Sequence, residues 1–381
     1  MIKPKKVLII VKSIDGGTGT FLLNLQKIEK SYEDRRVIIK TLVLEKPTYR
    51  PLGKLRSDFF SKIGFYPEHY HLAFQNIIEF YKELFWVWKK IRTFEPQVIL
   101  AVDVRCNLLS IICKVLSLGR IKVIATTHID LLKCISDKST PIVRSLLKVS
   151  INIFYNQADV LVGVSNDLSK NLRSDFNLSK DVVTIYNGLK KRPSSPRSWP
   201  SGDKNIIITI SRLVEQKDHS NLIKSFQLLQ EKLSNTELWI LGDGPKRGEL
   251  EKLVGQLGLK KKIAFFGWIK NPGSYVAKSD LFVLSSKREG MPYVLLEAMS
   301  QGIPVISTNT PYGPKEVLDN GKYGILVPMG RPDKMYKAML ELLNNRQKHE
   351  FYSKKSLERS KFFSIEKMLY SYKLLITELS E

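Results

Sequence analysis

Cysteine, histidine, acidic side chains and long apolar runs are all in short supply in this chain, and each shortage narrows what it can be. The three cysteines, Cys106, Cys113 and Cys134, have no metal-ligand spacing and fit a reducing compartment. The five histidines are scattered, so no metal site is expected. No stretch approaches the ~18 consecutive apolar residues of a membrane span. A basic start at 1–6 and an apolar run at 7–11 resemble a secretion signal, but Lys12 ends the run and no small-residue cleavage site follows. The run is read instead as a first buried strand, in a chain expected to be cytoplasmic.

The acid deficit is large: 61 Lys and Arg face 37 Asp and Glu, a formal net charge of +24. Within 1–190 there are 30 basic and 17 acidic residues, so both halves are basic and no detachable tail carries the charge. Such a field attracts nucleic acid, an anionic membrane face or a phosphorylated substrate. Zinc-finger spacing, RNP-like aromatics and a helix-turn-helix are missing, which ranks the membrane face above nucleic acid. What is present is globular: 43% of the residues are hydrophobic, and 381 residues exceed one typical core.

Strand candidates at 7–11, 37–44, 98–101, 123–126, 160–164 and 182–186 alternate with helix candidates near 19–30, 72–93, 105–118, 141–156 and 166–174. Val/Ile-rich strands without polar alternation predict a parallel sheet covered on both faces. The proline-rich, aperiodic stretch 191–203 is the best linker. A second α/β unit follows, with strands at 206–210, 237–241, 263–266, 281–284 and 303–306. Its helices are expected at 218–232, 246–258, 292–301, 314–319 and 333–345. The expected division is therefore 1–190, a linker at 191–203, 204–362, and a final helix within 363–381. That helix has an apolar stripe of Ile365, Met368, Leu369, Tyr372, Leu375, Ile376 and Leu379. Two placements fit it: across the hinge onto the first domain, or on the surface of the second.

The most informative segment is Ser285-Ser-Lys-Arg-Glu-Gly-Met-Pro-Tyr-Val-Leu-Leu-Glu297. Glu289 lies in a turn with Gly290, Met291 and Pro292, after a buried strand and before a helix opening at Tyr293. An anion at that helix start gains backbone donors and the helix field. Glu297, deeper in the helix among apolar neighbours, needs polar partners, and ribose hydroxyls would supply them. A surface Glu and a salt-bridged helix Glu would produce the same spacing. Arg212 and Lys217 follow strand 206–210, and ligands of open α/β sheets bind beyond strand C-termini. An arginine fork and a lysine point charge suit a diphosphate. A solvated turn in a lysine-rich chain explains Lys217 equally well, Arg212 less so. The Gly242-Asp-Gly244 turn reaches the same edge, and Gly267, Trp268 and Ile269 end the next strand where a nucleobase could lie.

In the first half, Asp15-Gly16-Gly17-Thr-Gly-Thr20 joins strand to helix and lets backbone approach a phosphate or sugar, without being GxGxxG or a Walker loop. His128, after strand 123–126, could bond a sugar or an incoming hydroxyl. Asp130 would orient it or cap the next segment, and Asn187-Gly188 reads as a strand-end turn. The segment 76–94 is rich in aromatics (Phe80, Tyr81, Phe85, Trp86, Trp88) and in Lys and Arg. It fits either an interfacial helix under anionic lipid or a core helix with a basic outer face. The basic, aromatic stretch 54–70 adds to the first reading.

Taken together, these motifs resemble a family-4 retaining glycosyltransferase of the GT-B type: two doubly wound Rossmann-like domains facing across a cleft. Glu289 and Glu297 match that family's paired glutamates, with seven residues between. Arg212 and Lys217 match its diphosphate-holding pair, Gly16 and Gly17 its glycine loop, and His128 its active-centre histidine. Gly313-Pro314-Lys315-Glu316 resembles a variant common among polysaccharide and O-antigen transferases, whereas Gly-Gly-Thr-Gly departs from the frequent Gly-Gly-Ala-Glu.

The resemblance implies transfer of a hexosyl or N-acetylhexosaminyl group from a nucleotide-sugar, UDP-linked before GDP-linked, with configuration retained. It implies no protein nucleophile, no cofactor and no metal, in keeping with the missing Asp-x-Asp-like cluster. The implied acceptor is a polyprenyl-diphosphate-linked glycan or lipopolysaccharide precursor at the inner membrane face. A nucleotide-sugar 2-epimerase and a non-catalytic nucleotide-sugar-binding protein are the alternatives from other classes.

Overall fold

The computed structural model describes residues 4–14, 16–28, 37–44, 59–60, 74–136, 140–190, 194–196, 199 and 204–381. The 54–70 stretch, apart from 59–60, and most of 191–203 lie outside these. The chain forms two compact units, Met1–Tyr186 with Glu366–Glu381, and Asn187–Ile365.

In the first unit the elements run β1 (Lys5–Val11), α1 (Gly16–Leu25), β2 (Val37–Val43), β3 (Phe59–Phe60), α2 (Phe74–Phe94), β4 (Val98–Val102), α3 (Val104–Leu116), β5 (Lys122–Thr127), α4 (Leu131–Ser136), α5 (Pro141–Tyr155), β6 (Val160–Gly163), α6 (Asn166–Asp175) and β7 (Val182–Thr184). All strand pairs are parallel, in the order β3-β2-β1-β4-β5-β6-β7. Helices on both faces require strands apolar on both faces, and all five residues of β4 are buried. The order reverses between β1 and β4, which opens a crevice at their C-terminal ends.

The second unit comprises β8 (Asn205–Ile210), α7 (His219–Gln230), β9 (Thr236–Leu241), α8 (Arg247–Gln256), β10 (Ile263–Gly267), α9 (Gly273–Val276), β11 (Leu281–Leu284), α10 (Tyr293–Ser300), β12 (Val305–Thr308), α11 (Pro314–Val317), β13 (Ile325–Val327), α12 (Pro332–Asn344) and α13 (Arg346–Ser360). Its parallel sheet has the order β10-β9-β8-β11-β12-β13, with the reversal between β8 and β11.

Helices α2, α3 and α5 share one face of the first sheet. Val87, Ile91 and Phe94, Cys106 and Leu109, and Ile151 and Tyr155 all join the core that contains the alternating residues Leu8 and Ile10 of β1. This divides the aromatic stripe of α2. Phe80, Trp86 and Trp88 pack against the core, whereas Tyr81 and Phe85 face outward. The interfacial reading of Trp86 and Trp88 therefore gives way to the core reading. Helix α1 starts at Gly16, earlier than the expected residue 19, so the glycine run lies inside its first turn.

The last helix, α14 (Ile365–Leu379), belongs with the first unit apart from its opening residue. Its stripe is buried at Met368, Tyr372 and Ile376, and the Tyr372 ring meets the Phe21 ring of α1 edge-on at 5.8 Å. Removing a buried aromatic of this size costs about 3–5 kcal/mol. Tyr372→Ala is thus expected to strip hydrogen-exchange protection from the first unit's strands while the second unit keeps its own. Equal loss in both units would contradict this placement.

Candidate active site

The reversal between β8 and β11 collects the strongest sequence candidates. The loop after β8 holds Arg212 and Lys217, and the loop after β11 holds Glu289. A short 3-10 turn, Glu215–Lys217, ends at Asp218 in the left-handed region (φ 46°), which turns the chain into α7. Lys217 Nζ then meets Glu289 Oε1 at 2.5 Å, the side chains being 15% and 8% exposed. Ser286 Oγ donates to the same oxygen at 2.6 Å. Three further bonds join the loops: Ser285 Oγ to the Lys217 carbonyl, Gln216 Nε2 to the Arg288 carbonyl, and the Lys287 N–H to the Gln216 carbonyl, each 2.8 Å.

Sequence spacing treats Lys217 and Glu289 as separate ligands, whereas the structure couples them. With so little exposure, removing either charge strands the other away from water. Arg212 is exposed at the same strand end and has no ion-pair partner among the described residues.

Neighbouring turns hold these loops from either side. At Gly242 (φ 135°) a Cβ would lie 1.9 Å from the Ser211 carbonyl oxygen, so only glycine lets the turn after β9 approach the Arg212 loop. Leu213 N–H donates to the Asp243 carbonyl at 2.9 Å, and Gly242 N–H to that of Gly267 at 2.7 Å. Gly244 belongs to the same turn. Beyond Gly267, Trp268 is exposed and Ile269 half-buried, two strands away from β8. At Gly313 (φ 78°) a Cβ would meet the Gly290 carbonyl oxygen at 2.3 Å, which seats the turn before α11 on the Glu289 loop.

Gly290, Met291, Pro292 and Tyr293 are buried, no side chain caps α10, and Glu297 is half-buried one turn further on. Asn187, expected only to make a strand-end turn, is an anchor. Its Nδ2 donates to the Met291 carbonyl at 3.0 Å, and its N–H points at Met291 Sδ at 3.2 Å.

His219, at the start of α7, shares a hydrogen bond with Ser211 Oγ at 2.9 Å and ties the two ends of the Arg212–Lys217 loop together. Burial, reinforced by the Lys217 charge, lowers its pKa to about 4.

In the first unit, Gly16 (φ 60°) and Gly17 are exposed. The steric requirement falls on Gly19, whose Cβ would lie 2.1 Å from the Ile14 carbonyl oxygen. His128 Nε2 lies 3.1 Å from Thr126 Oγ1 and the ring meets Phe21 edge-on at 4.6 Å. Desolvation lowers its pKa to about 4, so the imidazole is neutral at pH 7. Asp130 accepts the Lys133 N–H at 2.8 Å and is a cap for α4.

A pocket of about 50 Å³ beside His128 is lined by Thr18, Asp103 and Thr127 among others. Sequence reading passes over Asp103. It follows β4 at the reversal point with φ 87°, and desolvation raises its pKa. The signal that finds it is one carboxylate set between a wholly apolar strand and a helix. Among the described residues, no cluster of three or more His, Cys, Asp and Glu side chains could hold a metal ion.

Residues 191–359 match the family described as glycosyl transferases group 1, and residues 49–191 match glycosyltransferase family 4. The chain is related to the family-4 glycosyltransferases. An uncharacterised glycosyltransferase of Methanocaldococcus jannaschii is 33% identical over 270 residues, 61% of this chain and 66% of that protein. A second relative is the N-acetylgalactosamine-N,N'-diacetylbacillosaminyl-diphospho-undecaprenol 4-alpha-N-acetylgalactosaminyltransferase of Campylobacter jejuni. It is 28% identical over 57% of this chain and 59% of its own length. The chain spans 40–66% of the length of the first four curated relatives it matches. Among solved structures, a sucrose-phosphate synthase from Thermosynechococcus elongatus superposes with a TM-score of 0.79 at 16% identity, covering 98% of this chain and 99% of that one. At that identity the likeness speaks to the GT-B fold.

The His219 shift has a pH consequence. Its folded pKa lies below the ordinary ~6.5, so the unfolded state takes up the proton first as pH falls. The stabilisation is complete above pH 6.5 and is lost between 6.5 and about 4. By pH 5 the loss amounts to about 2 kcal/mol. Urea unfolding of the second unit should show this dependence, and His219→Gln should flatten it. An unchanged slope would contradict a buried neutral imidazole.

Proposed function

We propose that the chain is a retaining glycosyltransferase. It moves a hexosyl or N-acetylhexosaminyl group from a UDP-linked sugar to a polyprenyl-diphosphate-linked or lipopolysaccharide-type glycan precursor. The observation that carries this reading is the Lys217–Glu289 pair at the reversal between β8 and β11, beside Arg212 and the start of α10. The donor diphosphate lies there, against Arg212, Lys217 and the α10 backbone. Glu297 takes the ribose hydroxyls, and the base lies along residues 267–269. Gly16, Gly17 and His128 serve the sugar and the acceptor.

As the bond from sugar C1 to the diphosphate oxygen breaks, its electron pair leaves with the phosphate and negative charge grows there. The acceptor oxygen forms its bond to C1 on the same face, and its proton passes to the departing phosphate oxygen. Arg212 and Lys217 stabilise this state more than the bound donor, because the charge they face increases. Glu289 holds the ammonium of Lys217 in position beforehand, so little reorganisation is required. The undecaprenol-linked chemistry in the name of the Campylobacter relative supports the acceptor class. Peripheral attachment to the anionic inner face of the membrane completes the reading, supported by the +24 charge. No helix among the described residues is long and apolar enough to cross a membrane.

Incubation with a panel of labelled nucleotide-sugars, followed by product analysis, separates the classes. Transfer and slow donor hydrolysis are expected; sugar epimerisation, or binding without turnover, would contradict the proposal. Arg212→Ala and Lys217→Ala should each weaken UDP binding by about 1–3 kcal/mol while leaving uridine binding nearly intact. Glu289→Gln should lower kcat far more than UDP affinity, and Glu297→Ala the reverse. Small, equal effects at both glutamates would count against the assignment.

A further inference from the structure

Helix α5 carries apolar residues on two opposite sides. Ile151 and Tyr155 belong to the core of the first unit. Ile142, Leu146, Val149 and Ile153, spaced four, three and four apart, form a second stripe that faces outward. They are 76%, 63%, 57% and 56% exposed. Single exposed aliphatic residues are ordinary, but a stripe of four along three helical turns marks a surface that something covers.

Its surroundings indicate what. Helix α3 packs against both α2 and α5, so the three form one layer on one face of the sheet. From α2 the layer presents Tyr81 and Phe85 with exposed Lys82, Lys89 and Arg92. In the last turn of α3 and just beyond it the layer presents Val115, Leu116 and Leu118 with exposed Arg120. Ser145, Ser150 and Asn152 border the α5 stripe, and Glu83 of α2 is already paired with Arg105 at 2.7 Å. A second copy of this chain would set cations against cations, whereas anionic lipid headgroups neutralise them while acyl chains take up the aliphatic stripe. With 15 residues, α5 is too short to span a bilayer and suits lying flat in the interface.

We propose that the Ile142–Leu146–Val149–Ile153 face of α5 is the element that enters the headgroup region of an anionic membrane, with the outer residues of α2 as its basic flank. The inference rests on the peripheral-attachment reading and assigns it a place that the aromatic stripe of α2 does not, since Trp86 and Trp88 are core residues.

The test is co-sedimentation of the full chain with vesicles containing phosphatidylglycerol and with vesicles of phosphatidylcholine alone. Wild type should bind the first and not the second. Leu146→Glu combined with Val149→Glu should reduce binding about tenfold or more, with an unchanged melting curve because both positions are exposed. Equal binding of wild type and variant would overturn the inference and leave attachment standing; no binding by wild type would overturn both. A dimer in sedimentation velocity that the variant dissolves would assign the face to a second copy and overturn the lipid reading. Should the double variant melt early, Ser145→Cys carrying an environment-sensitive dye, compared with wild type treated identically, keeps the question decidable. A blue shift on phosphatidylglycerol vesicles supports insertion, and no shift overturns it.

Discussion

One ion pair ties together the candidate site of the second unit. Lys217 and Glu289 belong to loops 72 residues apart in sequence, and they meet where the strand order of the sheet reverses. Either charge is costly to leave there without the other. The surrounding design follows from keeping them together: Ser286 on the carboxylate, Ser285 and Gln216 bonding across the loops, Gly242 and Gly313 admitting neighbouring turns at distances no side chain would permit. A site held this rigidly suits chemistry in which charge appears suddenly on a leaving group, because donors already in position need not reorganise.

The same coupling complicates any reading of single substitutions. Truncating Lys217 would remove a proposed ligand for phosphate and also leave a buried carboxylate with Ser286 as its remaining side-chain partner among the described residues. The loss expected on truncation therefore mixes binding with local repacking, and Arg212, exposed and outside the pair, is the cleaner reporter of the proposed diphosphate contact.

How much of this is legible beforehand depends on the kind of signal. The strands read clearly, because Val/Ile runs such as 98–102 and 281–284 leave no alternation to confuse them with one-sided sheets. The glutamate loop reads clearly because glycine, proline and two carboxylates crowd into thirteen residues ending at Glu297. Helix α13 escapes notice since it docks through His349, Ser353 and Ser356, with no apolar stripe to betray it. The pairing of Lys217 with Glu289, and the anchoring of Met291 by Asn187 from 104 residues away, are tertiary facts without local trace. Asp103 offered a signal, an isolated carboxylate at a strand end, that spacing rules do not weigh. On α5 the periodicity shows two apolar faces without saying which one the core takes.

On the proposed assignment, the donor's diphosphate lies against Arg212, Lys217 and the first turn of α10. A crystal structure of the chain with UDP tests it most directly. The β-phosphate should lie within hydrogen-bonding distance of Lys217 Nζ and the Arg212 guanidinium, above the ends of β8 and β11. A well-ordered diphosphate bound elsewhere, with the Lys217–Glu289 pair untouched and Arg212 pointing into solvent, would contradict it.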